Sequence, residues 1–116
     1  MKGMSVLEVS KIITDEYSMK ILAGAFYDPK TASELSIKFE IPIAACYRKI
    51  RILENFGLLE CIDKMVPQDG RGVKLYRSLV KDAFLFYERG KLRVCLNHVK
   101  NQKVDFDETW DALNII

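Results

Sequence analysis

Histidine occurs once in these 116 residues, as His98, and cysteine three times, as Cys46, Cys61 and Cys95. No CxxC or CxC pair is present and His98 has no cysteine at ligand spacing, so a zinc-binding pattern is lacking. Thiols this few and scattered read as small apolar side chains, reduced and unpaired, which fits a reducing compartment. No apolar run reaches membrane length and no secretory leader is present. A cytoplasmic protein without membrane contact is expected. Also missing are a nucleophile elbow, a phosphate loop and a clustered acid and base. The GRG at 70–72 is too short and wrongly placed for a nucleotide fingerprint. Neither an enzyme, nor a cofactor, nor a metal is expected.

What is present begins with an ordinary globular composition, 49% hydrophobic and 29% charged, enough for a core without staples. The net charge of +2 is mild, but its distribution is uneven. Residues 1–41 carry five bases and six acids, while 42–81 carry eight bases and four acids. Residues 82–103 hold five bases against two acids, and 104–116 hold four acids and no base. The positive excess starts at 42, where a phosphate backbone would be met if the segment enters a groove.

The stretch 31–59, TASELSIKFEIPIAACYRKIRILENFGLL, organises the rest. Thr31 can N-cap a short helix, with Glu34 completing a capping box. Ala32, Leu35 and Phe39 fall near one face of it. Pro42 disfavours helix at the residue before it and suits the first turn of a new one. In the second helix, 42–56, the seam is Cys46, Ile50 and Leu53, while Tyr47, Arg48 and Arg51 point elsewhere. Gly57 stands where a left-handed C-cap is needed. Two short helices joined this tightly suggest a helix-turn-helix.

Strands follow at 58–66 and 73–79 around the turn cluster Pro67-Gln68-Asp69-Gly70-Arg71-Gly72. A helix-turn-helix followed by a hairpin with a basic, glycine-rich tip is the order of a winged helix. Before it, 5–13 reads as a short amphipathic helix with Val6, Val9 and Ile13 on one side. Thr14 or Asp15 can cap the next helix, whose expected buried stripe is Met19, Leu22 and Phe26. Gly24 weakens that helix or marks a close helix crossing.

In IITDEYSMKIL, the 31–59 stretch and PQDGRG, the chain resembles an ArsR-like winged helix-turn-helix transcriptional regulator of archaeal type. The likeness covers about residues 9–80 and is most specific at Glu34-Leu35, Ile41, Arg48, Ile50, Leu53-Glu54 and Gly57-Leu58. It implies a dimer on double-stranded DNA, with the second helix in the major groove. Metal-sensing relatives carry paired cysteines in that helix; this chain has Cys46 alone, on the apolar seam. Relatives also carry Pro-Thr-Arg where Glu16-Tyr17-Ser18 stand here, and polar residues where Ile43 and Ala44 stand. On this reading Arg48, Lys49 and Arg51 contact phosphates or bases, and Tyr47 a base edge or phosphate. Ile43 and Ala44 would meet thymine methyls. Arg71 enters the minor groove from the wing at 67–72, with Gln68 and Lys74 near the backbone.

Beyond the wing, 82–97 alternates as a β-hairpin around Arg89-Gly90, which would set Glu88 against Lys91, Tyr87 against Leu92, Leu85 against Val94 and Ala83 against Leu96. A dimerising helix is the rival for this stretch, although Gly90 suits a helix poorly. A polar linker to 103 and a short terminal helix capped by Asp105 or Asp107, with Phe106, Trp110 and Leu113 aligned, would complete the chain. The expected architecture is therefore α+β: a winged helix-turn-helix domain at 1–81 and a hairpin-and-helix extension at 82–116. The extension would pack on its own domain or on a partner in a homodimer. The competing functional expectation is a protein-interaction module that does not read DNA.

Overall fold

The computed structural model describes residues 5–65, 72–100 and 102–109, and has α+β architecture. Four helices come first, α1 (Val6–Ile13), α2 (Glu16–Gly24), α3 (Ala32–Phe39) and α4 (Ile43–Asn55). Five strands follow, β1 (Leu59–Met65), β2 (Gly72–Ser78), β3 (Val80–Glu88), β4 (Lys91–His98) and β5 (Gln102–Thr109). β1 and β2 form an antiparallel pair, and β3-β4-β5 a separate three-stranded antiparallel sheet.

α1, α2 and α3 each start where a side chain supplies a cap. Ser5 and Glu8 form a capping box on α1, and Thr31 and Glu34 form the expected one on α3, with N···O distances of 3.1 and 3.0 Å. Accepting the Thr31 backbone N–H holds the Glu34 carboxyl below its ordinary value. Asp15, the second of the two expected candidates, caps α2 by accepting from the Ser18 N–H at 2.9 Å. Glu40 ends α3 in the left-handed region at φ 54°. At the end of α4, Gly57 takes φ 73°; its N–H reaches the Glu54 carbonyl at 3.0 Å and the Leu58 N–H reaches Leu53 at 2.9 Å. That pair of bonds is a Schellman motif, whose left-handed residue glycine adopts without steric cost at Gly57.

One apolar core joins the helices to both sheets. Val6, Val9 and Ile12 of α1, Ile21 and Leu22 of α2 and Leu35 of α3 share it with Cys46, Ile50 and Leu53 of α4. Leu92, Val94 and Leu96 of β4 belong to the same cluster. The second half of the chain is therefore packed on the first. On α1 the buried stripe is Val6, Val9 and Ile12, while the expected Ile13 is half-buried. The buried stripe of α2 is also phased differently from expectation: Ser18, Ile21 and Leu22 are buried, Met19 is 37% exposed, and Phe26 lies past the helix end. Gly24 does mark a close crossing. A Cβ there would lie 2.5 Å from the Phe39 ring and 2.9 Å from Leu35 Cδ2.

The hairpin at 82–97 has the expected register, Glu88↔Lys91 through Ala83↔Leu96. Arg89 at φ 50° and Gly90 at φ 79° give the two positive φ angles that a two-residue hairpin turn matching strand twist requires. The expected terminal helix is corrected: 102–109 is strand β5, antiparallel to β4, with Phe106 across from Val94 and Val104 across from Leu96. Period-two alternation from Lys103 to Asp107 beats the capping signal because β4 offers an open edge beside its two fully buried residues. Trp110 and Leu113 lie outside the described residues. No helix among the described residues is long and apolar enough to cross a membrane.

Candidate nucleic-acid interface

α4 is anchored by what it hides. Cys46, Ile50 and Leu53 are 0, 1 and 0% exposed, spaced to share one face. Burial pushes the Cys46 thiol above its ordinary value, and its S–H points at the Ala32 carbonyl at 3.6 Å, so it behaves as a core residue. At 100° per residue the opposite face then holds Ala44, Arg48, Arg51 and Asn55, all exposed. Neither Arg48 nor Arg51 makes an ion pair with another described residue. Two unspent guanidinium groups on one exposed face are free to meet an anion. Ile43 and Tyr47 flank that face, 47 and 46% exposed. Pro42 precedes the first turn of α4 and no side chain caps it, so its leading N–H groups have no capping acceptor of the kind that α1, α2 and α3 have.

Lys49 does not stand with them. Its ammonium lies 3.2 Å from Asp15 Oδ1, and its side chain is only 22% exposed. Three residues on from Cys46, it flanks the buried stripe on the side where α2 begins. The pair ties α4 to the N-terminus of α2. Burial raises the Asp15 carboxyl, but bonds from Ser18 and the Lys49 charge outweigh it, leaving the carboxyl below its ordinary value. A carboxyl depressed by folding stabilises above its unfolded pKa and loses that contribution as pH falls through the folded one. Asp15→Asn keeps a capping acceptor but no charge. The variant is expected to be less stable at neutral pH by at most about 1 kcal/mol, and to lose less than wild type between about pH 5 and pH 2. Urea titrations across that range check both.

Of the other expected contacts, Lys74 is exposed on β2 and sits directly across from Asp63. Gln68 and Arg71 lie outside the described residues, as does the rest of 66–71. Asn55, seven residues after Arg48 and four after Arg51, also lies on this exposed face, although the sequence reading does not include it. No three His, Cys, Asp or Glu side chains come together at metal distance among the described residues.

The end of α4 is braced from behind. His98, at the end of β4, is 4% exposed and sits 2.9 Å from the Gly57 carbonyl through Nε2. The Lys100 N–H donates to its Nδ1 at 3.0 Å, which leaves Nε2 as the donor. The sheet thus grips the capping turn of α4. Comparison with protein families, curated proteins and solved structures finds no match to this chain.

Proposed function

We propose that this chain is a winged helix-turn-helix regulator that binds double-stranded DNA as a homodimer. The carrying observation is the exposed face of α4, where Arg48 and Arg51 stand opposite the buried stripe with no ion-pair partner among the described residues. Laid in the major groove, that face would offer two guanidinium groups to guanine edges or phosphates and Asn55 to an adenine edge. Ala44 and Ile43 would lie against thymine methyls. The hairpin β1-β2, directly after α4, supports a wing whose tip at 67–72, with Arg71, would reach the adjacent minor groove. Two copies related by a two-fold axis would set two recognition helices ~34 Å apart on a palindromic operator.

Exposed Ile43 and Tyr47 on α4, together with Ile37 at 80% exposure on α3, favour a second reading, a module that docks proteins through this helix pair. Gel mobility with random and selected duplexes over a salt series separates the two. If each copy neutralises three phosphates, affinity should fall roughly 40-fold per copy between about 50 and 200 mM salt. Duplex binding absent at the lower salt would leave the docking module.

A further inference from the structure

Among the described residues, no strand pairs with the outer edge of β3. β3 lies at the outside of the β3-β4-β5 sheet. Four consecutive large side chains on it are exposed, Phe84 50%, Leu85 42%, Phe86 44% and Tyr87 70%. They project to both faces of the sheet. Leu85 and Tyr87 share the face of buried Val94 and Leu92, but lie beyond the cover that α1 gives to β4. Phe84 and Phe86 lie on the other face, stacked with ring centroids 6.4 Å apart, and Arg93 sits 4.7 Å over Phe86. Soluble edges are ordinarily guarded by proline, by charge or by a bulge. From Ala83 to Tyr87 there is none of these; the one irregularity lies between Val80 and Asp82.

We infer that the β3 edge pairs antiparallel with β3 of a second copy, joining two three-stranded sheets into one of six strands. This rests on the proposed function only in saying what the dimer is for. A partner laid on either face would cover two of the four side chains, whereas a strand added at the edge shields all four and satisfies the open backbone groups. The second copy is favoured by the strand's own symmetry. Side chains across an antiparallel pair share a face, so a two-fold axis through Leu85 sets Phe84 against Phe86 of the second copy and Ala83 against its Tyr87. Leu85 then meets itself, and every central pair is apolar. An isologous pairing also closes, whereas β3 on a neighbour's β5 would continue as an open chain. At ~200 Å² for a large side chain, the exposed fractions amount to about 400 Å² per copy. A specific interface buries ~800 Å² per partner. With the backbone edge added, the pair falls at the small end, where dimer population varies over micromolar protein concentrations. The sheet packs on α1, while α4 packs on α2, α3 and β1, so pairing leaves the exposed face of α4 clear.

The ends of the strand give this interface a salt signature. Asp82 and Glu88 share the face of Phe84 and Phe86, so pairing about Leu85 opposes their carboxylates at both ends of the ribbon. Screening relieves that repulsion, and dimerisation should tighten severalfold as salt rises, the opposite sign to duplex binding. Sedimentation of the full chain without DNA, from about 1 to 100 µM in low and high salt, is the test. Leu85→Lys would place two ammonium groups on the axis and should weaken the dimer more than 30-fold; Tyr87→Lys, at a more exposed position, should weaken it about tenfold. Both should melt within a few degrees of wild type and keep single half-site binding. A wild-type monomer throughout, mass climbing past two copies, dimerisation that weakens with salt, or variants as dimeric as wild type would each overturn the pairing. A salt-tightened dimer that ignores duplex DNA would overturn the DNA reading and leave this interface standing.

Discussion

Arg48→Ala is expected to weaken binding to the preferred duplex by about 1–3 kcal/mol, roughly five- to 150-fold, the usual worth of one good base contact. Arg48 stands almost opposite Cys46 and Ile50 on α4, fully on the exposed side, and no described residue pairs with it. Removing it takes nothing from the fold, so the melting temperature should stay within about 2 °C of wild type. Arg51→Ala should behave alike. The double variant should lose less than the sum, because residues three apart on a helix share neighbours. Lys49→Ala is the internal contrast: it breaks the pair with Asp15 and should cost stability more than affinity. A fluorescence-anisotropy titration of the three variants reads this directly. Should Lys49→Ala lose more affinity than Arg48→Ala, the face of α4 turned to DNA is not the one described.

Much of this arrangement was legible in the residues, for identifiable reasons. The hairpin at 82–97 could be registered residue by residue because Arg89-Gly90 admits two positive φ angles, and a two-residue turn fixes every pair after it. Thr31 and Glu34, and Cys46 with Ile50 and Leu53, are local patterns with a single geometric solution. The failures share a cause: the deciding neighbour was distant in sequence. Ser18 is buried where hydropathy favoured Met19, because Ser18 lies inside the turn capped by Asp15, against α4. The 102–109 segment carries a plausible helix cap, yet it pairs with β4, whose inner face was already committed to the core. Lys49 reads in the sequence as one more base of α4, and its pairing with Asp15, thirty-four residues earlier, is visible only in the structure. His98 gave no sign of its contact with Gly57, forty-one residues away. Asn55, which shares the exposed face of α4, is a different case. Its helical spacing from Arg48 and Arg51 was available, and its place near the helix end hid it.

Leu53→Ala should be among the most damaging single changes to stability. Leu53 is fully buried beneath α4, and its carbonyl accepts the Leu58 N–H that closes the Schellman turn. Truncating such a leucine costs about 2–5 kcal/mol, through lost transfer energy and the cavity left behind. Domains of this size hold only about 5–15 kcal/mol in total, so the melting temperature should fall by roughly 10 °C or more. The effect on DNA should be indirect. Any protein that remains folded still presents Arg48 and Arg51 outward, so affinity corrected for the folded fraction should change by less than about 0.5 kcal/mol. Thermal melting by circular dichroism, followed by titration well below the midpoint, separates the two quantities. Leu53→Ala melting alongside wild type would mean that this face of α4 is not buried. Arg48 and Arg51 would then no longer share the outer face, and the DNA proposal would lose the observation that carries it.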